Sequence, residues 1–289
     1  MKTISADKLR EYIQKEHEKS YLLIDVRQPA EYEESHIPGS ILLPLNEFEE
    51  QVEELPEKNL IFYCRSGVRS KAAALTADFF NEAKKDIYTL EGGVLGWNGI
   101  TVEGIPLFKT FDLNKEIDAI LLDAINLEKG AFRFYDYILQ NVDLNNLEKL
   151  SSKRNDKTIE KDKASISEVL KQARDGELGH AKLIYSNLKN IKTDTVPFED
   201  IYKNLNGDIL EGGASFDEII RLIAKHGNNQ LIDILEIAIS MEYRAFDLYR
   251  VMSERIEKEN DKLKEAFYSL AQAEKAHMNI LVKALEQRV

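Results

Sequence analysis

The apolar positions of this 289-residue chain change rhythm about one third of the way along. Up to residue 108, short and mostly apolar runs at residues 21–26, 40–43, 60–64 and 87–90 alternate with segments of helical period at 5–15, 45–54 and 69–81. Runs that are continuous rather than alternating mark strands buried on both faces, so this part predicts a small α/β domain with a mainly parallel sheet. Beyond residue 112 the apolar runs lengthen into helical stretches such as 120–134 and 231–241. Four such segments, with a long link at 193–228 between the second and third, predict an all-α four-helix bundle. Inside that link, Ser215 and Glu218 have the spacing of a capping box, which starts a further helix. Residues 145–163 are charged and poor in apolar side chains and read as an enlarged loop between the first two bundle helices. The predicted domains are 1–108 and 112–289, joined near 108–113.

Two bundle stretches repeat one pattern, Ala-Ile-x-x-Glu-x-x-Ala-Phe-x-x-Tyr, at 124–135 and 238–249. Each is followed downstream by Glu-x-x-His, at Glu177/His180 and at Glu274/His277. Residues three apart on a helix share a face, so each Glu and His of a pair can turn toward one bundle axis. A carboxylate in the middle of an apolar stripe costs several kcal/mol unless it is paired or bound to a metal. The candidate donors are therefore Glu128, Glu177, His180, Glu242, Glu274 and His277. Carboxylates can bridge two hard or borderline cations and imidazole can terminate each one. Tyr135 and Tyr249 fall seven residues beyond Glu128 and Glu242, on the same helix faces. They could hydrogen-bond near such a site, but core filling is the simpler role.

The chain's single cysteine, Cys64, sits where the run at 60–64 ends. The loop Arg65-Ser66-Gly67-Val68-Arg69-Ser70 then leads into a helical segment. A strand, a tight glycine-containing loop and a helix N-terminus gather backbone N–H groups into an anion cradle. That field, with Arg65 and Arg69 nearby, lowers a thiol pKa and favours a nucleophilic thiolate. The alternative is a small buried cysteine that only packs.

Both halves resemble known families. The N-terminal third is similar to single-domain rhodaneses through Asp25-Val-Arg27 with Glu31, the turn His36-Ile-Pro-Gly39, the Cys64–Arg69 loop, and Leu90-Glu-Gly-Gly-Val-Leu-Gly-Trp97. The resemblance implies that Cys64 becomes a persulfide. Ser66, Gly67, Val68 and Ser70 would form the substrate-binding loop, Arg69 would hold the sulfur or its donor's oxyanion, and Arg65 would bind the donor. Phosphatases of the same fold use a loop one residue longer, so sulfur is favoured over phosphate. His36 is expected to be structural, and Asp25, Arg27 and Glu31 to form a stabilising polar network. Residues 112–289 resemble ferritin-like domains of the rubrerythrin and bacterioferritin type. That resemblance implies two irons, with manganese or zinc as possible substitutes, held by the six Glu and His residues named above. Rubrerythrins carry a second Glu three residues after the third-helix ligand, where this chain has Ala245, and they usually add a Cys-rich module that one cysteine cannot build.

Composition narrows the setting. Net charge is −12, with 12 basic and 19 acidic side chains in residues 1–108 and 27 and 32 in the remainder. This excess of acid argues against a nucleic-acid partner. No run is apolar for membrane-spanning length and no signal peptide opens the chain, and one cysteine fits a reducing cytoplasm. The expected protein is a sulfurtransferase fused to a di-iron oxidoreductase that reduces peroxide or oxygen under oxidative or sulfur stress. It would need a sulfane-sulfur donor, a thiol acceptor and an external electron donor, and a homodimer is the expected assembly. The alternative is ferroxidase or iron handling, with the rhodanese module sensing or delivering sulfur.

Overall fold

The computed structural model describes residues 1–81, 85–103, 115–152, 165–192, 194–210, 213–225, 230–256 and 261–287. By packing, these fall into two compact units. Met1–Pro106 and Phe246–Gln272 make the first, Leu107–Ala245 and Ala273–Val289 the second. The expected joint at 108–113 lies outside the described residues.

The first unit is built on a five-stranded sheet. Its strands are β1 (Lys2–Ile4), β2 (Tyr21–Asp25), β3 (Ser40–Leu42), β4 (Asn59–Tyr63) and β5 (Ile87–Leu90), in the order β1-β5-β4-β2-β3. Every ladder is parallel. Successive residues of a strand face opposite sides, and here both sides are covered. Leu22, Ile24, Leu60 and Phe62 pack with Phe48 and Ala73, Ala74 and Ala77 on one face. Tyr21, Leu23, Ile61 and Tyr63 pack with Leu9 on the other. The connecting helices are α1 (Ala6–Lys15), α2 (Pro29–Glu34), α3 (Leu45–Gln51), α4 (Val68–Phe79) and the short α5 (Gly93–Gly96). β1 and α2 have no counterpart among the elements expected from sequence. Three residues of β1 are too few to show a period, and α2 is a six-residue helix opened by Pro29 at its first turn.

The second unit is helical. Its elements are α6 (Ile117–Asn141), α7 (Leu144–Ser152), α8 (Ile166–Ile191), α9 (Phe198–Asn204) and α10 (Phe216–Lys225), with parts of α11 (Gln230–Arg255) and α12 (Asp261–Glu286). Its core includes Phe134, Ile138, Leu170, Leu210, Ile234, Leu235 and Leu281. The capping box that opens α10 is made. The Ser215 amide donates to Glu218 Oε2 at 3.0 Å, and the Glu218 amide donates to Ser215 Oγ at 3.3 Å. Residues 145–152 were expected to lie in a loop but belong to the helix α7, because Leu144 and Leu147 give that short stretch an apolar face against the bundle core. The rest of that expected loop lies outside the described residues.

Residues 246–255 of α11 and the first part of α12 belong to the first unit. Buried polar side chains account for this. Asp247 Oδ2 accepts from the imidazole Nε2 of His36 at 3.0 Å, and Asp247 Oδ1 accepts from the Gly39 amide. Arg250, fully buried, donates to Glu18 Oε2 at 3.0 Å, to the Tyr21 carbonyl and to Glu254. Lys58 donates to the same Glu254 at 2.9 Å. His36 thus has the structural role expected of it, stacked on Tyr32 with a 3.8 Å centroid separation.

Candidate functional site

Cys64 follows β4 directly, at the carboxyl end of the sheet where open parallel folds place their ligand crevices. Its Sγ accepts the Gly67 amide at 3.1 Å. Gly67 caps α4 with φ at 95°, a left-handed conformation that costs glycine little and most other residues a good deal. Burial pushes the thiol pKa up. The Ser70 amide, the Ser70 hydroxyl and the Ser66 and Gly67 amides outweigh it and leave the thiol below its ordinary value. Amides aimed at one sulfur favour the thiolate form.

The motif at residues 90–97 buttresses this loop. The Val94 amide donates to the Cys64 carbonyl at 2.8 Å and the Leu95 amide to the Arg65 carbonyl at 3.0 Å. A Cβ on Gly93 would stand 2.3 Å from the Cys64 carbonyl oxygen, so only glycine lets the two turns approach this closely.

The arginines are placed differently from each other. Arg65 and Ser66 are exposed, as is Val68, while Ser70 is buried. Arg69 is engaged by Glu31 in a two-pronged pair at 2.7 and 2.8 Å, which holds the Glu31 carboxyl down at about 2. Asp25 and Arg27 form a separate buried pair, with Nη2 to Oδ2 at 2.7 Å. The expected network of Asp25, Arg27 and Glu31 is therefore two pairs, and Glu31 serves the loop arginine. The sequence did not reveal this, because Glu31 and Arg69 lie on different helices.

In the second unit, α6 supplies Glu128, α8 supplies Glu177 and His180, α11 supplies Glu242, and α12 supplies Glu274 and His277. All six are buried. Glu177, His180, Glu274 and His277 place ligand atoms within 4.8 Å of one another. Imidazole Nδ1 of His180 lies 3.2 Å from Glu128, 3.5 Å from Glu177 and 2.9 Å from Glu274. Nδ1 of His277 lies 3.3 Å from Glu177, 3.4 Å from Glu242 and 3.8 Å from Glu274. The pattern has two halves. Glu177 and Glu274 reach both imidazoles, while Glu128 lies within this range of His180 and Glu242 of His277.

These residues fit a pair of cations better than they fit one another. Glu177 Oε1, both carboxylate oxygens of Glu274 and His277 Nδ1 are buried without a hydrogen bond of acceptable geometry. Close approach without hydrogen-bond direction is what donors converging on ions produce. Two divalent cations would neutralise the four carboxylates and leave both imidazoles as neutral ligands. With no cation, protons take that role. Burial alone would push the His277 imidazole down, but Glu177 and Glu242 hold it at about 11. His180 is raised in the same way, by Glu274 and Glu128 against its burial.

Two further residues support the cluster, of which the sequence pointed to Tyr135 but not to Gly176. The Tyr135 hydroxyl donates to Glu242 Oε1, so Tyr135 serves the cluster as well as filling the core. Its position seven residues after Glu128 was the available signal, and the partner on another helix was not. Gly176 lies under His277, and a Cβ there would stand 2.1 Å from Nε2. Tyr249 lies in the other unit, buried beside Phe267 at 5.9 Å. At Ala245 the side chain lines a narrow void with Ala131, Glu177, Met241, Glu242 and Glu274.

Residues 5–99 match the rhodanese-like domain and residues 233–289 match rubrerythrin, the latter covering Glu242, Glu274 and His277. A putative sulfur carrier protein, YrkF of Bacillus subtilis, is 38% identical over 85 residues, 29% of this chain and 45% of that protein. The chain thus spans less than half of that relative's length. A sulfurtransferase of Allochromatium vinosum is 34% identical over 87 residues, covering 30% of this chain and 77% of that protein. The crystal structure of a rhodanese-related protein from Thermoplasma volcanium shares 31% identity over 35% of this chain and 98% of that one, with a TM-score of 0.31. No helix among the described residues is long and apolar enough to cross a membrane. Through residues 5–99 the chain belongs to the rhodanese-like family, and it carries a rubrerythrin domain in the same polypeptide.

Proposed function

We propose that the chain is a sulfurtransferase acting through a persulfide on Cys64 and, in its second unit, a di-iron oxidoreductase that reduces peroxide or oxygen. The sulfur chemistry is supported by the cradle of amides on Cys64 Sγ. The thiolate attacks the outer sulfur of a sulfane donor, a new S–S bond forms, and the donor's own bond to that sulfur breaks, its electron pair leaving with the departing group. A thiol acceptor, as thiolate, then attacks the outer persulfide sulfur and releases the Cys64 thiolate. Loop amides carry the sulfur's charge through both steps. Arg69, held by Glu31, fixes the loop, and exposed Arg65 is the side chain free to meet an anionic donor.

The single observation behind the redox half is the cluster of six buried carboxylate and imidazole side chains from four helices, in which Glu177 Oε1, both oxygens of Glu274 and His277 Nδ1 have no hydrogen bond. Glu128, Glu177, His180, Glu242, Glu274 and His277 would hold the irons, which when bound supply two electrons and Lewis acidity. Glu177 and Glu274, each close to both imidazoles, would be the shared ligands, and Tyr135 steadies Glu242. The electrons would come from an external donor.

Iron content of anaerobically prepared protein, followed by stopped-flow oxidation with peroxide and with oxygen, tests this reading. About two irons per chain, as bundles of this type hold, and fast reaction with peroxide support it. Iron bound but inert to both oxidants sinks the oxidoreductase half. For the sulfur half, Cys64→Ser should abolish sulfide release from thiosulfate in the presence of a dithiol and leave iron content unchanged.

A further inference from the structure

The carboxyl ends of β1 and β5 stop beside the Cys64 loop, tied together by the Glu91 amide, which donates to the Ile4 carbonyl at 2.9 Å. A pocket of about 400 Å³ opens there, a volume suited to a small organic molecule. Ser5 and Lys8 line it from the start of α1, Glu91 from the end of β5, and Ser66, Gly67 and Lys71 from the loop and α4. Gly67 belongs to the thiol site as well. Its amide donates to Cys64 Sγ at 3.1 Å, and a Cβ on it would stand 3.6 Å from the Leu90 carbonyl oxygen. A single loop residue thus touches both the sulfur and the pocket.

The charge of this pocket runs against its surroundings. Residues 1–108 carry 12 basic and 19 acidic side chains, yet the pocket is lined by two lysines and one glutamate. Among the described residues, Lys8, Lys71 and Glu91 enter no ion pair, although Glu91 shares the pocket with both amines. The Ser5 hydroxyl makes no capping hydrogen bond. Solvated lysines are ordinary on an open surface. Here two of them share a pocket with free hydroxyls, next to the loop that holds the thiol. Ammonium and hydroxyl groups both donate to carboxylates, and an ionised acceptor makes those bonds stronger.

We propose that this pocket seats the carboxylate-bearing tail of a small organic thiol, which accepts the sulfane sulfur from Cys64. This rests on the reading of Cys64 as a sulfurtransferase thiol and names the chemical class of its acceptor. The acceptor thiolate attacks the outer sulfur of the Cys64 persulfide and a new S–S bond forms. The bond between that sulfur and Sγ breaks, and its electron pair stays on Sγ as the Cys64 thiolate, while the proton of the persulfide leaves with the transferred sulfur. Lys8 and Lys71 hold the tail during this exchange. Glu91, of the same charge as the tail, limits the affinity and lets the product go.

The test follows sulfite release from thiosulfate with two acceptors, mercaptosuccinate, which carries carboxylates, and 2-mercaptoethanol, which carries none. The quantity read is the ratio of their kcat/KM values. Lys8→Gln and Lys71→Gln should each lower that ratio about threefold and the double variant about tenfold, the scale of exposed ion pairs, with the loss falling on KM for mercaptosuccinate. Glu91→Gln should raise the ratio about twofold. Lys15→Gln is the control for general charge, since Lys15 lies at the far end of α1, paired with Glu11 at 3.6 Å, and it should leave the ratio unaltered. An unchanged ratio in the double variant overturns the inference. So does an equal fall in Lys15→Gln, which would assign the effect to net charge alone. A chain that releases sulfite with neither thiol fails differently, sinking the sulfurtransferase reading itself.

Discussion

The two candidate sites are made in opposite ways. The thiol site is a single loop of seven residues, 64–70, whose working groups are mostly backbone amides. The metal cluster takes six side chains from four helices, and its residues span positions 128 to 277. Amides in a tight turn point where the turn sends them, so the first site is largely determined once the loop closes. Carboxylates and imidazoles reach a common point only if four helices pack in the right register. A site of the first kind tolerates change in what surrounds it, and a site of the second kind does not.

The largest effect should come from Glu274, which both imidazoles face. Glu274→Gln removes one shared charge and should lower iron from roughly two per chain to one or fewer, measured by metal analysis, with sulfur transfer intact. Loss of sulfur transfer as well would break the comparison. Next is Gly176→Ala. In an open helix this exchange would stabilise by about 1 kcal/mol. Here the new methyl would meet the His277 ring, so we expect a loss of about 1–3 kcal/mol in urea unfolding, as for other overpacked sites. Stabilisation would show that the ring moves freely.

Ser70→Ala sharpens the other side. Losing one hydroxyl donor, worth about 1 kcal/mol, should raise the Cys64 pKa. Alkylation by iodoacetamide at pH 7 should slow several-fold, with the rate profile moved to higher pH. An unchanged profile would assign the whole effect to the amides. The smallest effect belongs to Glu31. Its folded pKa, about 2, lies below its ordinary value. Its pairing with Arg69 therefore stabilises above the ordinary carboxylate range and is lost as pH falls toward 2. Because the pair is partly exposed, Glu31→Gln should cost under about 1 kcal/mol at pH 7 and nothing near pH 2. An equal cost at both values would rule out the charge pairing as its source.

How much could be read in advance follows the same division. The parallel sheet was legible because continuous apolar strands have one explanation, and the Cys64 loop because its chemistry is contiguous. The six donors were legible through i,i+3 spacing and the repeated Glu pattern. The pairing of Glu31 with Arg69 and of Tyr135 with Glu242 was not, since each joins residues on separate helices. The helix at α9 was missed for want of length, although Phe198 and Tyr202 already lay one turn apart.

Local rules of the chain by itself settled where strands, helices and the sulfur loop form, because period, glycine placement and capping act over a few residues. They also nominated the Glu and His side chains, since a charge in an apolar stripe demands a partner. Only tertiary packing decided which partner each found. It set Glu177 and Glu274 between two imidazoles. It gave residues 246–272 to the sheet-bearing unit through Asp247 and Arg250. It also left the Tyr202 hydroxyl with nothing to bond. A buried polar atom is satisfied by whatever three-dimensional neighbour comes within about 3 Å of it, and sequence separation carries no record of that distance.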